Sequence, residues 1–159
     1  MPVTGYSRVQ ISLHWLMLLL LGFNWLFSDP MEQAYRTLER GGALVSTPWL
    51  HIIVGIAVLA FVLLRLAIRL TRGVPAESEA APPLMRLAGR IGHWVLYGLM
   101  LAIPVLGLMA WYLGIEAADE LHGLAVDLLV IVVVLHILAA LFHQYVLKDG
   151  LLKRMMRAA

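Results

Sequence analysis

The stretch that most constrains the fold runs from residue 121 to residue 147 and reads LHGLAVDLLVIVVVLHILAALFHQYVL. As a helix that rises about 1.5 Å per residue, it is long enough to cross a hydrocarbon layer of about 30 Å. It nevertheless carries three histidines, His122, His136 and His143, at spacings of 14 and 7 residues. At about 100° per residue these spacings bring all three imidazoles near one stripe, with the first two about 21 Å apart along the axis. Such a helix is suited to holding two groups, one above the other.

The composition identifies the class of protein. Hydrophobic residues make up 62% of the 159 residues, and the mean hydropathy is +0.86, which is far too apolar for a soluble domain. The absence of cysteine excludes disulfides, thiolate-ligated iron–sulfur clusters and covalent haem attachment through CxxCH. A net charge of +2 requires no nucleic acid, because basic residues gather on one side of membrane proteins. The sequence therefore predicts an integral membrane protein.

Four apolar stretches predict a single domain, residues 1–159, with four spans at about 8–27, 49–70, 91–113 and 121–147. Ser7 and Gln10 form a candidate capping box for the first helix, which we interpret as a retained span and not a signal peptide. Thr47 and Pro48 predict an N-cap and a first-turn proline for the second helix. Pro104 is expected to kink the third. Between the spans we expect a polar loop with a helical turn at 32–39, a proline-broken connector at 71–89 and an acidic loop at 114–120.

The basic residues predict the orientation of these helices. Ten lysines and arginines lie at the N-terminus, in the 65–90 region and in the tail, whereas the opposite side has only Arg36 and Arg40. The positive-inside rule then puts both termini in the cytoplasm. The expected fold is all-α, a four-helix membrane bundle with up-down-up-down topology.

With this topology the six histidines sort by depth into three pairs. His51 and His122 share an outer layer, and His14 and His136 share a layer in the cytoplasmic half. The third pair, at the cytoplasmic edge, is His93 and His143. Any single histidine could be a packing residue with a satisfied hydrogen bond, but ionisable groups inside a membrane are costly and usually functional.

Two histidines per layer are too few for zinc, which takes four ligands or three and a water. A haem iron needs only two axial ligands, so two non-covalent b-type haems fit best. Gly55, one turn after His51, would let a porphyrin approach the backbone, or it simply allows close helix contact. Arg65, 14 residues after His51, is a candidate partner for an inner haem propionate, with an interfacial snorkelling arginine as the alternative.

Several segments also resemble one known family along essentially the whole chain. They are Tyr6-Ser7-Arg8-Val9-Gln10-Ile11-Ser12-Leu13-His14-Trp15, Leu50-His51, Gly92-His93 with Tyr97, Ala102-Ile103-Pro104-Val105-Leu106-Gly107, Leu135-His136, His143-Gln144-Tyr145 and Lys148-Asp149-Gly150-Leu151-Leu152-Lys153-Arg154-Met155-Met156. The chain resembles the bacterial cytochrome b-561 family. The resemblance implies a di-haem protein of the bacterial inner membrane that exchanges electrons with quinone, with His14 and His136 on one haem and His51 and His122 on the other.

Members of that family include a superoxide oxidase, which passes electrons from superoxide at the periplasmic face to ubiquinone near the cytoplasmic face. If this function carries over, the third histidine layer would serve the quinone, because histidine exchanges protons near neutral pH. The candidates at this quinone end, which otherwise form an interfacial layer with aromatic-belt tryptophans, are His143, His93, Arg8, Trp15 and Arg90.

Superoxide steering at the outer face would depend on Arg36 and Arg40, since an anion is attracted by positive charge. The outer loops, however, also contain more acidic than basic residues. Asp127 points away from the histidine stripe and is expected to pair with Tyr112, Asn24 or an outer-loop arginine, or to serve a proton path.

Three hypotheses remain open at this stage. The chain is a superoxide:ubiquinone oxidoreductase, or an electron-transfer cytochrome that links quinol to a periplasmic redox protein through acidic loops. The third is a non-redox bundle whose histidines bind metal or protons.

Overall fold

A computed structural model describes residues 5–42, 48–75 and 81–158. The described chain is helical, in the order α1 (Arg8–Leu26), α2 (Asp29–Glu39), α3 (Trp49–Arg72), α4 (Pro83–Leu113), α5 (Glu116–Phe142), a π-helical turn (His143–Leu147) and α6 (Leu151–Arg154). The four helices α1, α3, α4 and α5, the last together with its π-helical turn, are long and apolar enough to cross a membrane. This confirms the predicted all-α fold with four spans.

Contacts between the four long helices give their relative directions. His14, early in α1, lies beside His136, late in α5, so these two helices are antiparallel. His51 and His122 lie early in α3 and α5 and also meet, so α3 and α5 run the same way. Gly107, late in α4, is in contact with His122, so α4 runs against α5. The helices therefore alternate in direction, as the sequence predicts.

The interior of the bundle is small and apolar. Its buried cluster comprises Met17 from α1, Val58 and Val62 from α3, Tyr97 and Met100 from α4, and Leu129 from α5. Many large apolar side chains face outward instead, and Leu19, for example, is 69% exposed. Such a surface is unfavourable in water but matches lipid tails, because the bilayer itself solvates apolar side chains.

Two of the long helices begin earlier than predicted, because residues typical of loops are also tolerated in the first turn of a helix. α4 starts at Pro83, about two turns before the expected residue 91, and proline is tolerated there because first-turn amides need no helical partner. α5 starts at Glu116 and not at 121, and its first turn contains Glu116 and Asp119. Carboxylates at this end are favourable beside the positive pole of the helix dipole. The expected proline-broken connector and acidic loop are therefore partly helix.

The remaining local predictions have mixed outcomes. The capping box of Ser7 and Gln10 is present. Pro48 is the N-cap of α3 and does not lie in its first turn, and Thr47 falls outside the described residues. α2 is an 11-residue helix and not a single turn. α4 continues as helix through Pro104, whose kink remains a prediction.

Candidate functional site

Two pairs of histidine side chains face each other inside the bundle at two depths. We call His51 and His122 the outer pair and His14 and His136 the inner pair. The ring centroids are 6.4 Å apart in the outer pair and 6.3 Å apart in the inner pair. His122 and His136 both belong to α5, so the two pairs are separated by about 21 Å along that helix.

These separations can be compared with what one metal ion between two imidazoles requires. A metal–nitrogen bond is about 2 Å and the ring centroid lies about 1.2 Å behind the nitrogen, so two rings on opposite sides of one iron have centroids about 6.4 Å apart. Both pairs match this spacing. In the described part of the chain no three His, Cys, Asp or Glu side chains are grouped to hold a metal ion. The donor sets are therefore pairs, which suits a haem better than zinc.

The surroundings of the outer pair also suit a flat apolar group. A cleft of about 350 Å³ lies against His51, and its other lining residues, all apolar, are Phe23, Phe27, Pro30, Pro48 and Leu50. It opens between the end of α1 and the start of α3. Such a cleft provides the apolar surroundings that a porphyrin edge prefers.

His122 is held in place by the backbone of α4. Its Nδ1 lies 2.8 Å from the carbonyl oxygen of Ile103. That oxygen can only accept, so the bond assigns the proton to Nδ1 and leaves Nε2 free to bind a metal. The carbonyl is accessible because Gly107, one turn further along, has no side chain, and a Cβ there would lie 3.0 Å from both Cε1 and Nδ1 of His122.

His51 has no comparable partner. Its Nδ1 is buried and has no hydrogen-bond partner among the described residues, and the same holds for the Oδ1 of Asn24 in α1. A Cβ on Gly55 would meet the Asn24 amide nitrogen at 3.8 Å, which is ordinary van der Waals contact. Gly55 therefore lies at the contact between α3 and α1, which favours helix packing over porphyrin approach as its role.

The inner pair lies beside an arginine and a third histidine. The guanidinium of Arg65 lies 3.4 Å from Nδ1 of His14, so Arg65 is at the depth that the sequence predicts. The ring of His93 lies 5.3 Å from that of His136, and its Nδ1 is 2.6 Å from the carbonyl of Gly89 in its own helix. His93 thus adjoins the inner pair, and the third layer that we expected is not separate from the second.

The C-terminal segment closes the same end of the bundle. His143 lies in the π-helical turn, and its Nδ1 is 2.6 Å from Oδ2 of Asp149, whose other oxygen accepts from the Leu151 amide. Trp15 donates its indole hydrogen to the carbonyl of Met155 at 2.9 Å. Two of the predicted quinone-end residues therefore anchor the C-terminal segment.

Two further residues of the predicted quinone end, Arg8 and Arg90, are exposed on the surfaces of α1 and α4. The structure instead brings Tyr6 into this region, near Arg69 and Tyr97, and burial raises the pKa of its phenol above the usual value, with the arginines opposing. Tyr6 therefore stays neutral and able to donate a hydrogen bond.

At the opposite end the charged residues lie mainly on α2. Arg36 is exposed and forms an ion pair with Glu32 of the preceding turn, and Arg40 is exposed at the end of the helix. Asp127 is exposed on α5, and none of the hydrogen bonds recorded among the described residues involves it. Its pairing with Tyr112, Asn24 or an outer-loop arginine is therefore not seen in the described part of the chain, and a proton path through it stays a prediction.

The sequence reasoning missed two groups that the structure places at the histidines. The Ile103 carbonyl is a backbone atom, and only the glycine four residues later, Gly107, signals it. Asp149 has a weak signal, an acidic residue beside a left-handed Gly150 that caps a short helix.

Comparison with known proteins agrees with this arrangement. The sequence model of the family described as prokaryotic cytochrome b561 matches residues 5–158. The chain is 42% identical to cytochrome b562 of Cereibacter sphaeroides, with 96% of both chains covered. It is 33% identical to the probable superoxide oxidase CybB of Yersinia pestis, with 95% of both covered, and 27% identical to the cytochrome b561 homolog 1 of Escherichia coli. The protein therefore belongs to the prokaryotic cytochrome b561 family, whose members are haem-binding electron-transfer proteins of bacterial membranes.

Proposed function

We propose that this protein binds two b-type haems and carries electrons from superoxide, at one face of the bacterial inner membrane, to ubiquinone at the other. His51 and His122 hold the outer haem, and His14 and His136 hold the inner haem. The whole chain acts as one domain, with both termini in the cytoplasm.

One observation carries the proposal: two histidine pairs have almost the same ring separation, 6.4 and 6.3 Å, at two depths of one bundle. A pair that packed by chance would have no reason to repeat the spacing that two axial ligands of one iron require. The ring of His93 is about 1 Å closer to that of His136 than this spacing, which supports His14 as the ligand. When bound, each haem takes up and passes on one electron at a time.

The charge balance of the proposed reaction assigns tasks to both ends of the chain. Two superoxide anions each lose one electron and become dioxygen, and one ubiquinone gains two electrons and two protons to become ubiquinol. The outer end must admit an anion, and Arg36 and Arg40 are the candidates for attracting it. The inner end must supply two protons from the cytoplasm.

The candidates for the inner end are grouped by their contacts. His143 and Asp149 form a polar dyad that could pass protons inward, since imidazole exchanges them near neutral pH. Arg65 is the candidate partner for an inner haem propionate, because its planar guanidinium matches a carboxylate. His93, Arg8 and Trp15 remain candidates for contact with the quinone, although the indole of Trp15 already donates to Met155.

Stopped-flow mixing of the oxidised, purified protein with superoxide tests the proposal. We expect rapid appearance of the reduced α band, followed by reoxidation when a soluble ubiquinone analogue is added. A His51→Ala and His122→Ala double variant should lack the outer haem and the rapid phase. If wild-type protein carries both haems but superoxide does not reduce them, the superoxide step is wrong.

A second function is favoured by the charges at the outer end. Arg36 is already paired with Glu32, and α5 starts with carboxylates, so this end is less positive than an anion site needs. An electron-transfer cytochrome that links quinol to a basic periplasmic redox protein would suit such a surface. Haem reduction by quinol without any reaction with superoxide would select this function.

The non-redox alternative is tested by a visible spectrum alone. A bundle that uses its histidines for other metals or for protons would have no b-type Soret and α bands after purification with added haem. If these bands survive in a variant that lacks all four paired histidines, His14, His51, His122 and His136, the haem ligands lie elsewhere.

A further inference from the structure

We propose that the neighbours of the two histidine pairs give the outer haem the lower potential and the inner haem the higher one, so that electrons run from the outer pair to the inner pair. This inference rests on the proposed function and deepens it, because it names the residues that would set the difference in haem potential driving electrons in the proposed direction. The four ligands are all histidines. Any difference between the two sites must therefore come from the groups that touch the ligands.

At the outer pair the relevant neighbour is the carbonyl oxygen of Ile103. It accepts the Nδ1 hydrogen of His122 at 2.8 Å. An acceptor at this position draws the proton away from the ring and makes the opposite nitrogen a stronger electron donor. A stronger donor favours the oxidised iron, so this bond lowers the potential.

The charges at the start of α5 oppose each other in their effect on the potential. His122 lies within two turns of the start of α5, where the helix dipole is positive and would raise the potential. Three carboxylates at this helix start oppose the dipole, those of Glu116, Asp119 and Glu120. The Ile103 carbonyl is therefore the polar group in contact with the outer pair, and the carboxylates at the start of α5 offset the helix dipole.

At the inner pair the relevant neighbour is Arg65. Its guanidinium lies 3.4 Å from Nδ1 of His14. Because a guanidinium can only donate and a haem-bound His14 would carry its proton on Nδ1, Arg65 would act on this ligand through its charge and not through a hydrogen bond. It also lies over the ring of Tyr97, at 5.8 Å from the centroid, and no carboxylate forms an ion pair with it in the described part of the chain. A second cation, Arg69, lies over the rings of Trp94 and Tyr97 at 5.6 and 5.7 Å.

Positive charge near a haem favours the reduced state, because reduction removes one positive charge from the iron. For a unit charge about 8 Å away in a medium with an effective dielectric constant of about 20, the electron-transfer equilibrium changes by about 30-fold. A haem propionate paired with the same guanidinium would offset part of this change, which leaves about tenfold. Tenfold corresponds to about 59 mV for one electron. Arg65 therefore raises the potential of the inner haem by an amount that a redox titration resolves.

A redox titration of the haem-loaded protein, followed at the α band, tests the inference. Wild type should show two one-electron transitions. In Arg65→Gln the midpoint potential of the higher transition should fall by the equivalent of about tenfold in the reduction equilibrium, and that of the lower transition should stay unchanged. The matched control Arg69→Gln, one turn further along α3, should lower the potential of the higher transition by a smaller amount.

The outer pair is tested through Gly107. Gly107→Ala should raise the lower transition or remove it with its haem, whereas Gly98→Ala, whose added Cβ meets no atom within 4 Å, should do neither. Three results would overturn the inference: a single unsplit transition in wild type, a lower transition that responds to Arg65→Gln, or an equal shift with Arg69→Gln.

A measurement without haem keeps the inference testable if these variants fail to fold. Nitrogen NMR of the histidine-labelled apoprotein in lipid nanodiscs should show the Nδ1-protonated tautomer for His122, assigned by its loss in His122→Gln. The Nε2-protonated tautomer would overturn the role of Ile103. If the split potentials are found but superoxide does not reduce the haems, the proposed function fails and the potential difference stands.

Discussion

The contact between Gly107 and His122 gives the sharpest test of the outer haem site. Gly107→Ala adds one methyl group to α4. Because that Cβ would lie 3.0 Å from two ring atoms of His122, the ring must move by a few tenths of an ångström or tilt. Either movement lengthens the 2.8 Å hydrogen bond to the Ile103 carbonyl.

The size of the effect follows from two terms. Losing a hydrogen bond of this kind costs about 1 kcal/mol. Forcing a methyl group into a packed contact costs about 1–3 kcal/mol, although helix propensity recovers up to about 1 kcal/mol when alanine replaces glycine. The sum is about 1–3 kcal/mol against the ligand geometry. This agrees with the loss of about 10- to 100-fold in affinity that follows removal of an outer-shell partner of a metal ligand.

The assay is haem titration of the apoprotein in detergent, followed by a pyridine haemochrome count of bound haem. We expect wild type to bind two haems, and Gly107→Ala to bind the inner haem unchanged and the outer haem 10- to 100-fold more weakly. Gly98→Ala, in the same helix and with no atom within 4 Å of its added Cβ, controls for the change in helix propensity. Two haems bound at wild-type affinity in Gly107→Ala would refute this account of the outer site.

Three further predictions concern the two ends of the bundle. Asp149→Asn keeps an acceptor for the cap but loses the charge beside His143, so both haems should remain while ubiquinone reduction slows by at least tenfold in a stopped-flow assay; loss of a haem would contradict this. Arg40→Gln should slow superoxide-driven haem reduction more than Arg36→Gln, because Glu32 already offsets Arg36, and an equal effect at low salt would contradict it. Burial raises the pKa of Tyr6, so the folded protein keeps the phenol proton above pH 10. The stability that Tyr6 contributes is therefore present below about pH 10 and is lost as the pH rises through its folded pKa. In a pH titration followed at 295 nm, the tyrosinate absorbance that appears at the highest pH should disappear in Tyr6→Phe.

The histidine layers could be predicted from the sequence because helix geometry is rigid. A spacing of 14 residues between His122 and His136 fixes both direction and depth along one helix. The orientation in the membrane, which lysine and arginine counts indicate, stays a prediction. Arg65 was placed by the same arithmetic from His51. For the four paired histidines and Arg65, periodicity gave the neighbours that the structure shows, whereas for His93 and Asp127, which also lie on long helices, it did not.

The remaining features depend on contacts that periodicity does not encode. The early starts of α4 and α5 were missed because Pro83 and the acidic residues from Glu116 are typical of loops as well as of first turns. The prediction of a separate third layer was wrong because α4 begins about two turns earlier than expected. His93 therefore lies well inside the helix, and its ring is beside the inner pair. The bond between His143 and Asp149 depends on a π-helical turn and a left-handed Lys148, neither of which has a sequence pattern.

α5 contributes one histidine to each pair, and if the pairs hold haem as proposed, this explains how a bundle with identical ligands can be directional. Because His122 and His136 share a helix, their spacing is fixed, and the partner helices α3 and α1 can differ without changing it. The outer ligand faces a backbone carbonyl of α4, while the inner pair faces a cation from α3. A substitution cannot remove a backbone carbonyl, but replacing the glycine beside it changes how closely the histidine ring can approach that carbonyl. The arginine at the inner pair can be replaced directly. Selection could therefore tune the two haem potentials independently through Gly107 and Arg65, while the four ligands stay fixed.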